Sequence, residues 1–218
     1  MGTLIVIDGL DGSGKATQSK LLIDNLKKTN DNVMKISFPD YNSDSSALIK
    51  MYLNGEFGSK PEDVNPYAAS SFYAVDRYAS YKKYWEEKYL NGYTIICDRY
   101  VTSNLIHQMA KLPYNQWESF IKWIQDYEYL KLKLPKPNSV IYLDLDLSVS
   151  QKLINQRCNN KGMVKDIHEK DLIYLKKCQK AARYMANLEN WAIINCCDEK
   201  GNLYEKEYLS MKILQSLK

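Results

Sequence analysis

The chain of 218 residues lacks any long apolar run; the longest, such as 4–7, fall far short of the roughly 20 residues that cross a bilayer. It opens on no basic segment followed by a long apolar one, so no secretory leader is expected. It also lacks internal repeats, low-complexity tracts and linkers rich in glycine or proline. One α/β domain over 1–218 is the expectation. Cysteine is sparse and irregular. The five cysteines (97, 158, 178, 196 and 197) include no pair spaced for a zinc site, and their odd number suits reduced thiols in a cytoplasm. An excess of one sign of charge is nearly absent as well, with 30 basic residues against 26 acidic ones. A net charge of +4 and a pI of 8.6 suit phosphate-bearing small molecules and give no footing for nucleic-acid binding. Hydrophobic residues at 45% and charged residues at 26% exclude a disordered, collagen-like or disulfide-built chain. Arginine is scarce among the 30 basic residues: only Arg77, Arg99, Arg157 and Arg183. A chain that spends lysine on its surface keeps arginine where a planar fork is needed. Two of the four sit in identical tripeptides, Asp76-Arg77-Tyr78 and Asp98-Arg99-Tyr100.

Short β-rich apolar runs alternate with longer helical stretches. Strands are expected at 3–8, 33–38, 94–97, 140–143 and 191–195. Helices are expected at 15–28, 46–53, 66–90, 115–130, 149–157, 167–189 and 203–217, with a polar mobile loop over 158–165. Alternation of this kind predicts a five-stranded parallel sheet covered on both faces, a three-layer α/β/α domain, and the loop Gly9-Leu10-Asp11-Gly12-Ser13-Gly14-Lys15 after its first strand makes it one of the P-loop nucleoside-triphosphate hydrolase type. Ligands of such sheets sit at the carboxyl ends of the strands, where Asp8 and Asp98 fall.

Gly9-Leu10-Asp11-Gly12-Ser13-Gly14-Lys15 follows a predicted strand and opens a predicted helix. This is the G-x-x-x-x-G-K phosphate loop in its proper setting. Glycines let backbone N–H groups turn inward around phosphate oxygens, the helix N-terminus adds free donors, and Lys15 brings a positive charge. The expected nucleotide contacts are Gly9, Gly12, Ser13, Gly14, Lys15, Ala16 and Thr17. The residue after the lysine is commonly Ser or Thr, whose hydroxyl holds Mg²⁺. Here it is Ala16, and Thr17 lies about 100° further round the helix. Mg²⁺ dependence with weakened metal affinity is therefore expected, with Asp98 at the end of its apolar strand as the remaining metal handle, directly or through water.

A phosphate loop alone names no reaction. The residues 5–15, Phe38-Pro39, Phe72-Tyr73-Ala74-Val75-Asp76-Arg77, and Asp98-Arg99-Tyr100 followed by Ser103 and Gln108 resemble the thymidylate kinase family of nucleoside monophosphate kinases. The resemblance covers nearly the whole chain and thins over 40–65 and after Arg157. It implies transfer of the γ-phosphoryl of ATP to dTMP, a homodimer, and a catalytic set of Lys15, Arg99, Asp11 and Arg157. Asp11 would accept from the acceptor's sugar hydroxyl and Arg99 would clamp its phosphate. Phe72 would stack on the pyrimidine and Arg77 would bond a base carbonyl. Phe38, Pro39, Asp76, Ser103, Asn104 and Gln108 complete the expected acceptor site. A lid around 158–166 would close over the site with Arg157, Lys161 and Lys165, poorer in arginine than the family's, and slower transfer follows. His107 reads as a structural histidine. Other acceptors remain open: another monophosphate, or a deoxynucleoside. A switch protein that makes no product is also open, although Asn160-Lys161-Gly162-Met163 lacks the Asn-Lys-x-Asp of guanine-specific switches.

Overall fold

A computed structural model describes residues 1–161 and 165–217. Five strands form one parallel sheet in the order β2-β3-β1-β4-β5: β1 Thr3–Gly9, β2 Val33–Ser37, β3 Thr94–Asp98, β4 Ser139–Asp144 and β5 Ala192–Asn195. Along β1 the side chains alternate between faces, as a period of two requires. Leu4 and Val6 join a core that includes Trp85, Ile106, Phe120 and Met185. Ile5 and Ile7 join a second core with Leu22, Ile23, Leu209 and Ile213. Both faces of the strand are buried, and helices cover each, which is why β1 reads as a continuous apolar run.

The helices are α1 Lys15–Leu26, α2 Ala47–Leu53, α3 Pro66–Ser80, α4 Glu86–Leu90, α5 Val101–His107, α6 Trp117–Ile124, α7 Leu147–Lys161, α8 Ile167–Lys170, α9 Leu172–Leu188 and α10 Lys206–Ser216. α3 starts under an Asn65 cap with Pro66 in the first turn. The helix expected over 66–90 is continuous in path, with a wider π turn, Tyr81–Trp85, between α3 and α4. A second π segment, Gln125–Lys131, extends α6. The helix expected over 167–189 is broken at Asp171, whose side chain caps α9. α5 was not expected as a helix.

α7 runs on through Cys158 to Lys161, so the expected loop is helical over that stretch. Of the rest of the expected lid, 162–164 lie outside the described residues, and 165–166 lead into α8 under the Asp166 cap. β1 lies between β3 and β4, and the chain crosses to either side of it. The carboxyl ends of β1, β2 and β3 therefore meet, and Ile7 stands beside Asp98 in the register. Clefts form at such switch points.

Candidate active site

A cavity of about 750 Å³ opens over these strand ends, inside the size range of small-molecule sites. Its floor is the turn between β1 and α1. Gly9, Gly12 and Gly14 hold φ of 156°, 81° and 86°, values that favour glycine. A Cβ on Gly9 would lie 2.7 Å from Ser13 Oγ and 2.8 Å from the Leu143 carbonyl. Gly12, Gly14, Lys15, Ala16 and Thr17 line the cavity, whereas Gly9 and Ser13 lie beneath it. Lys15 Nζ donates to the Leu10 carbonyl at 2.9 Å and stands 3.7 Å from Asp11 Oδ1. Burial lowers the Lys15 pKa, and the Arg99 charge lowers it further.

Arg99 follows β3 with φ of 66°, a left-handed backbone that costs a non-glycine residue on the order of 1–2 kcal/mol. Its N–H donates to the Ile7 carbonyl at 3.0 Å, and its carbonyl accepts from Cys97 Sγ at 2.7 Å. The tertiary fold holds this backbone so that the guanidinium crosses the cavity. There it pairs with Asp11 Oδ1, lies 3.2 Å from His107 Nε2 and stands 3.8 Å from Asp8. Burial works against the charge of Asp11, but Arg99 and Lys15 outweigh it and hold the carboxyl well below the usual range.

Asp8 is a part of this site that sequence reasoning left as a strand end. Fully buried, it accepts from the Gly9 N–H at 2.8 Å, Thr102 Oγ1 at 2.6 Å and Ser103 Oγ at 2.8 Å. It ties the phosphate loop to α5. The Ser103 hydroxyl is thus committed to Asp8, although the residue lines the cavity.

The far end of the cavity carries side chains that suit a base. Tyr73, Arg77, Asn104 and Gln108 border it. Gln108 is 1% exposed, and its Oε1 has no partner among the described residues. Phe72 does not line the cavity. Its ring packs against Phe57, 5.9 Å between centroids, and against the cluster of Ile49, Tyr52 and Ile167. The two residues are adjacent on α3, about 100° apart, and the face that carries Arg77 turns Tyr73 inward. Asp76 is also outside the cavity. It accepts from the Asp40 N–H at 2.9 Å and Ser45 Oγ at 2.6 Å, and so anchors the chain that follows Phe38-Pro39. Phe38 and Pro39 themselves line the wall beside Asp98.

The remaining rim comes from α7 and α8. Arg157 pairs with Glu169, and both border the cavity with Asp166 and His168. Asp166 and Glu169 form a capping box on α8. Burial raises the Asp166 carboxyl to about 6. His168 stacks on His107, 5.6 Å between centroids and 9° between planes, and its Nε2 lies 2.8 Å from Tyr52 Oη, within hydrogen-bond distance. Burial lowers His168 to about 3 and holds His107 well below its usual value as well, so the stack is neutral. His107 is thus a wall of the site as well as a structural histidine, and its contact with Arg99 was not readable from its neighbours in the chain.

A phosphate loop, a partly buried arginine opposite it and a base-sized recess in one cavity narrow the choice of family. The family model described as thymidylate kinase matches residues 7–206. The chain belongs to the thymidylate kinase family. It is 31% identical to the thymidylate kinase of Mycobacterium tuberculosis over 175 residues, 77% of this chain and 78% of that one. With the thymidylate kinase of Caenorhabditis elegans it shares 30% over 159 residues, 68% of this chain and 66% of the relative. The solved thymidylate kinase of Candida albicans superposes with a TM-score of 0.73 at 23% identity, over 99% of this chain and 91% of the other, which shows the shared fold. In this thymidylate kinase family member the P-loop kinase fold brings Lys15, Asp11, Arg99, Arg77, Asn104, Gln108 and Arg157 to one cavity, and leaves Phe72 and Asp76 behind its walls.

Proposed function

We propose that the chain transfers the γ-phosphoryl group of ATP to dTMP, giving dTDP and ADP. The observation that carries this reading is continuity. One cavity joins the phosphate loop to Asn104 and Gln108, with Arg99 between the two ends. The triphosphate of ATP lies on the loop amides and Lys15. The acceptor lies with its ring against Tyr73 and its edge toward Arg77, Asn104 and Gln108. Its phosphate meets the Arg99 fork, which places an oxygen in line with the γ-phosphorus. Both Lys15 and Arg99 contact Asp11 through Oδ1, and we assign Oδ2 to the sugar hydroxyl. The acceptor phosphate is itself the nucleophile, so no strong base is needed, in keeping with two neutral histidines in the wall.

Mg²⁺ fits the donor set present. Among the described residues no three His, Cys, Asp or Glu side chains converge on a metal cage. Asp98, on the cavity wall, offers a hard carboxylate of the kind Mg²⁺ takes alongside water and phosphates. When bound, the ion neutralises charge on the transferring phosphates. Ala16 adds no hydroxyl, so affinity for the ion is weakened. Arg157, released from Glu169, supplies the cation of a lid that includes 158–166, and the 218 residues act as one domain with that lid. A homodimer is part of the proposal, and the exposed Val75 and Tyr78 on α3 are suited to its interface. A cytoplasmic setting agrees with five free cysteines and with the lack of a described helix long and apolar enough to cross a membrane.

ADP release measured over dTMP, dUMP, dCMP, AMP and thymidine tests the acceptor. The proposal expects dTMP to have the highest kcat/KM. Turnover of thymidine without turnover of dTMP contradicts it.

A further inference from the structure

Glu128 lies outside every motif in the sequence and reaches the acceptor end of the site from behind. It sits in the π segment Gln125–Lys131 and is 0% exposed. A buried carboxylate is costly unless paired and fully hydrogen-bonded. Glu128 meets that condition with three donors from two helices. Arg77 Nε donates to Oε2 at 2.6 Å and Arg77 Nη2 to Oε1 at 2.7 Å. Asn104 Nδ2 donates to Oε1 at 2.8 Å. The π turns, wider than α turns and frequent at functional sites, set this carboxylate at the junction of α3 and α5.

The arrangement fixes more than position. Asn104 Nδ2 also donates to the Ser70 carbonyl at 3.2 Å. Both partners of Nδ2 are acceptors without a proton, so the amide is held with its NH₂ toward Glu128 and its Oδ1 turned away from it, on a residue that borders the cavity. A free asparagine turns over at little cost and offers either end. Arg77 spends three of its five N–H groups on Glu128 and on the Tyr100 carbonyl, the last at 3.3 Å. It retains two N–H groups, one on each Nη, and the residue borders the cavity. The wall therefore presents an arginine donor next to a fixed amide acceptor. Thymine and uracil carry the matching edge, a carbonyl at position 4 and an N–H at position 3. Cytosine carries the reverse, an amino group and a bare nitrogen.

We propose that Glu128 is a positioning residue that sets base specificity, by locking the Asn104 amide and the Arg77 fork in the orientation that accepts a 4-carbonyl pyrimidine and rejects a 4-amino one. The inference rests on the dTMP kinase reading. Glu128 touches no substrate. It acts through the two residues it holds.

The test compares dTMP with dCMP in the full-length enzyme and in Glu128→Gln. A glutamine of the same size donates as well as accepts, so Asn104 is free to turn its oxygen toward it. The ratio of kcat/KM for dTMP over dCMP falls about tenfold, the scale of one well-made hydrogen bond. The fall appears in the KM for dTMP, with the KM for ATP within about twofold of wild type. Glu128→Asp keeps the charge but withdraws it by one methylene, and lowers the ratio about threefold; it decides the matter if the glutamine variant does not fold. An unchanged ratio in a folded variant overturns the inference and leaves the dTMP kinase reading standing. A wild-type enzyme that does not favour dTMP over dCMP overturns both.

Discussion

Tyr73 and Phe72 divide at one residue what the family resemblance assigned to a single ring. Tyr73 borders the cavity, and Phe72 packs on Phe57 behind α3. Ring stacking contributes about 1–3 kcal/mol per base. Tyr73→Ala is therefore expected to raise the KM for dTMP by tenfold or more, with stability little changed. Phe72→Ala is expected to lower stability by about 2 kcal/mol, since its ring is half-buried, and to leave the acceptor KM within about twofold. Steady-state kinetics and denaturant unfolding on the two variants read this directly. Arg99 carries a second expectation. A lysine at this place keeps the charge and loses the fork. Arg99→Lys should lower kcat by about 100-fold or more while the KM for ATP stays near wild type. The phosphate loop, Asp98 and Arg99 were legible in the sequence because each motif is contiguous and its chemistry is set by a few adjacent residues. Choosing between Tyr73 and Phe72 was not. The arc that places residues 72–77 on one side of a helix is wide enough to hold both, and only the packing of α3 against α2 and α5 decides.

At the scale of elements, α8 joins the cavity to a buried polar cluster. Lys111 Nζ donates to Tyr52 Oη at 2.7 Å, Tyr52 Oη and His168 Nε2 share a hydrogen bond, and His168 stacks on His107. Burial holds His168 at about 3 in the folded chain, below the 6.5 of a free histidine. The unfolded chain binds the proton first as pH falls. Stability contributed by the neutral ring is thus fully present above about 6.5 and is lost as pH drops from there toward about 3. His168→Phe keeps an aromatic ring against His107 and removes the titration. It should lose less stability than wild type between pH 6.5 and pH 4, by on the order of 2 kcal/mol, in urea unfolding across that range. Elements differed most from the sequence reading where the helical period is broken. The π turns at 81–85 and 125–131 add a residue to the repeat, so Glu128 arrives at a face that a regular helix pattern does not show. Its partner Arg77 is 51 residues away, beyond any local pattern. The polar stretch after Arg157 has the composition of a loop, yet it continues α7 to Lys161.

Across the whole molecule, the sheet order β2-β3-β1-β4-β5 brings together residues that the chain keeps far apart. The alternation of strands and helices made this order's class readable, because each βαβ unit enforces parallel pairing. It did not reveal that α5 and the segment after α6 close the acceptor end, since those contacts depend on how helices pack over the sheet. The central claim is that the two nucleotides lie end to end in one cavity. A single molecule that joins thymidine to adenosine through a chain of five phosphates reaches both ends only in that arrangement. The account predicts that this molecule inhibits competitively against dTMP and against ATP alike, and binds more tightly than either nucleotide. Competition with one substrate and none with the other would contradict it.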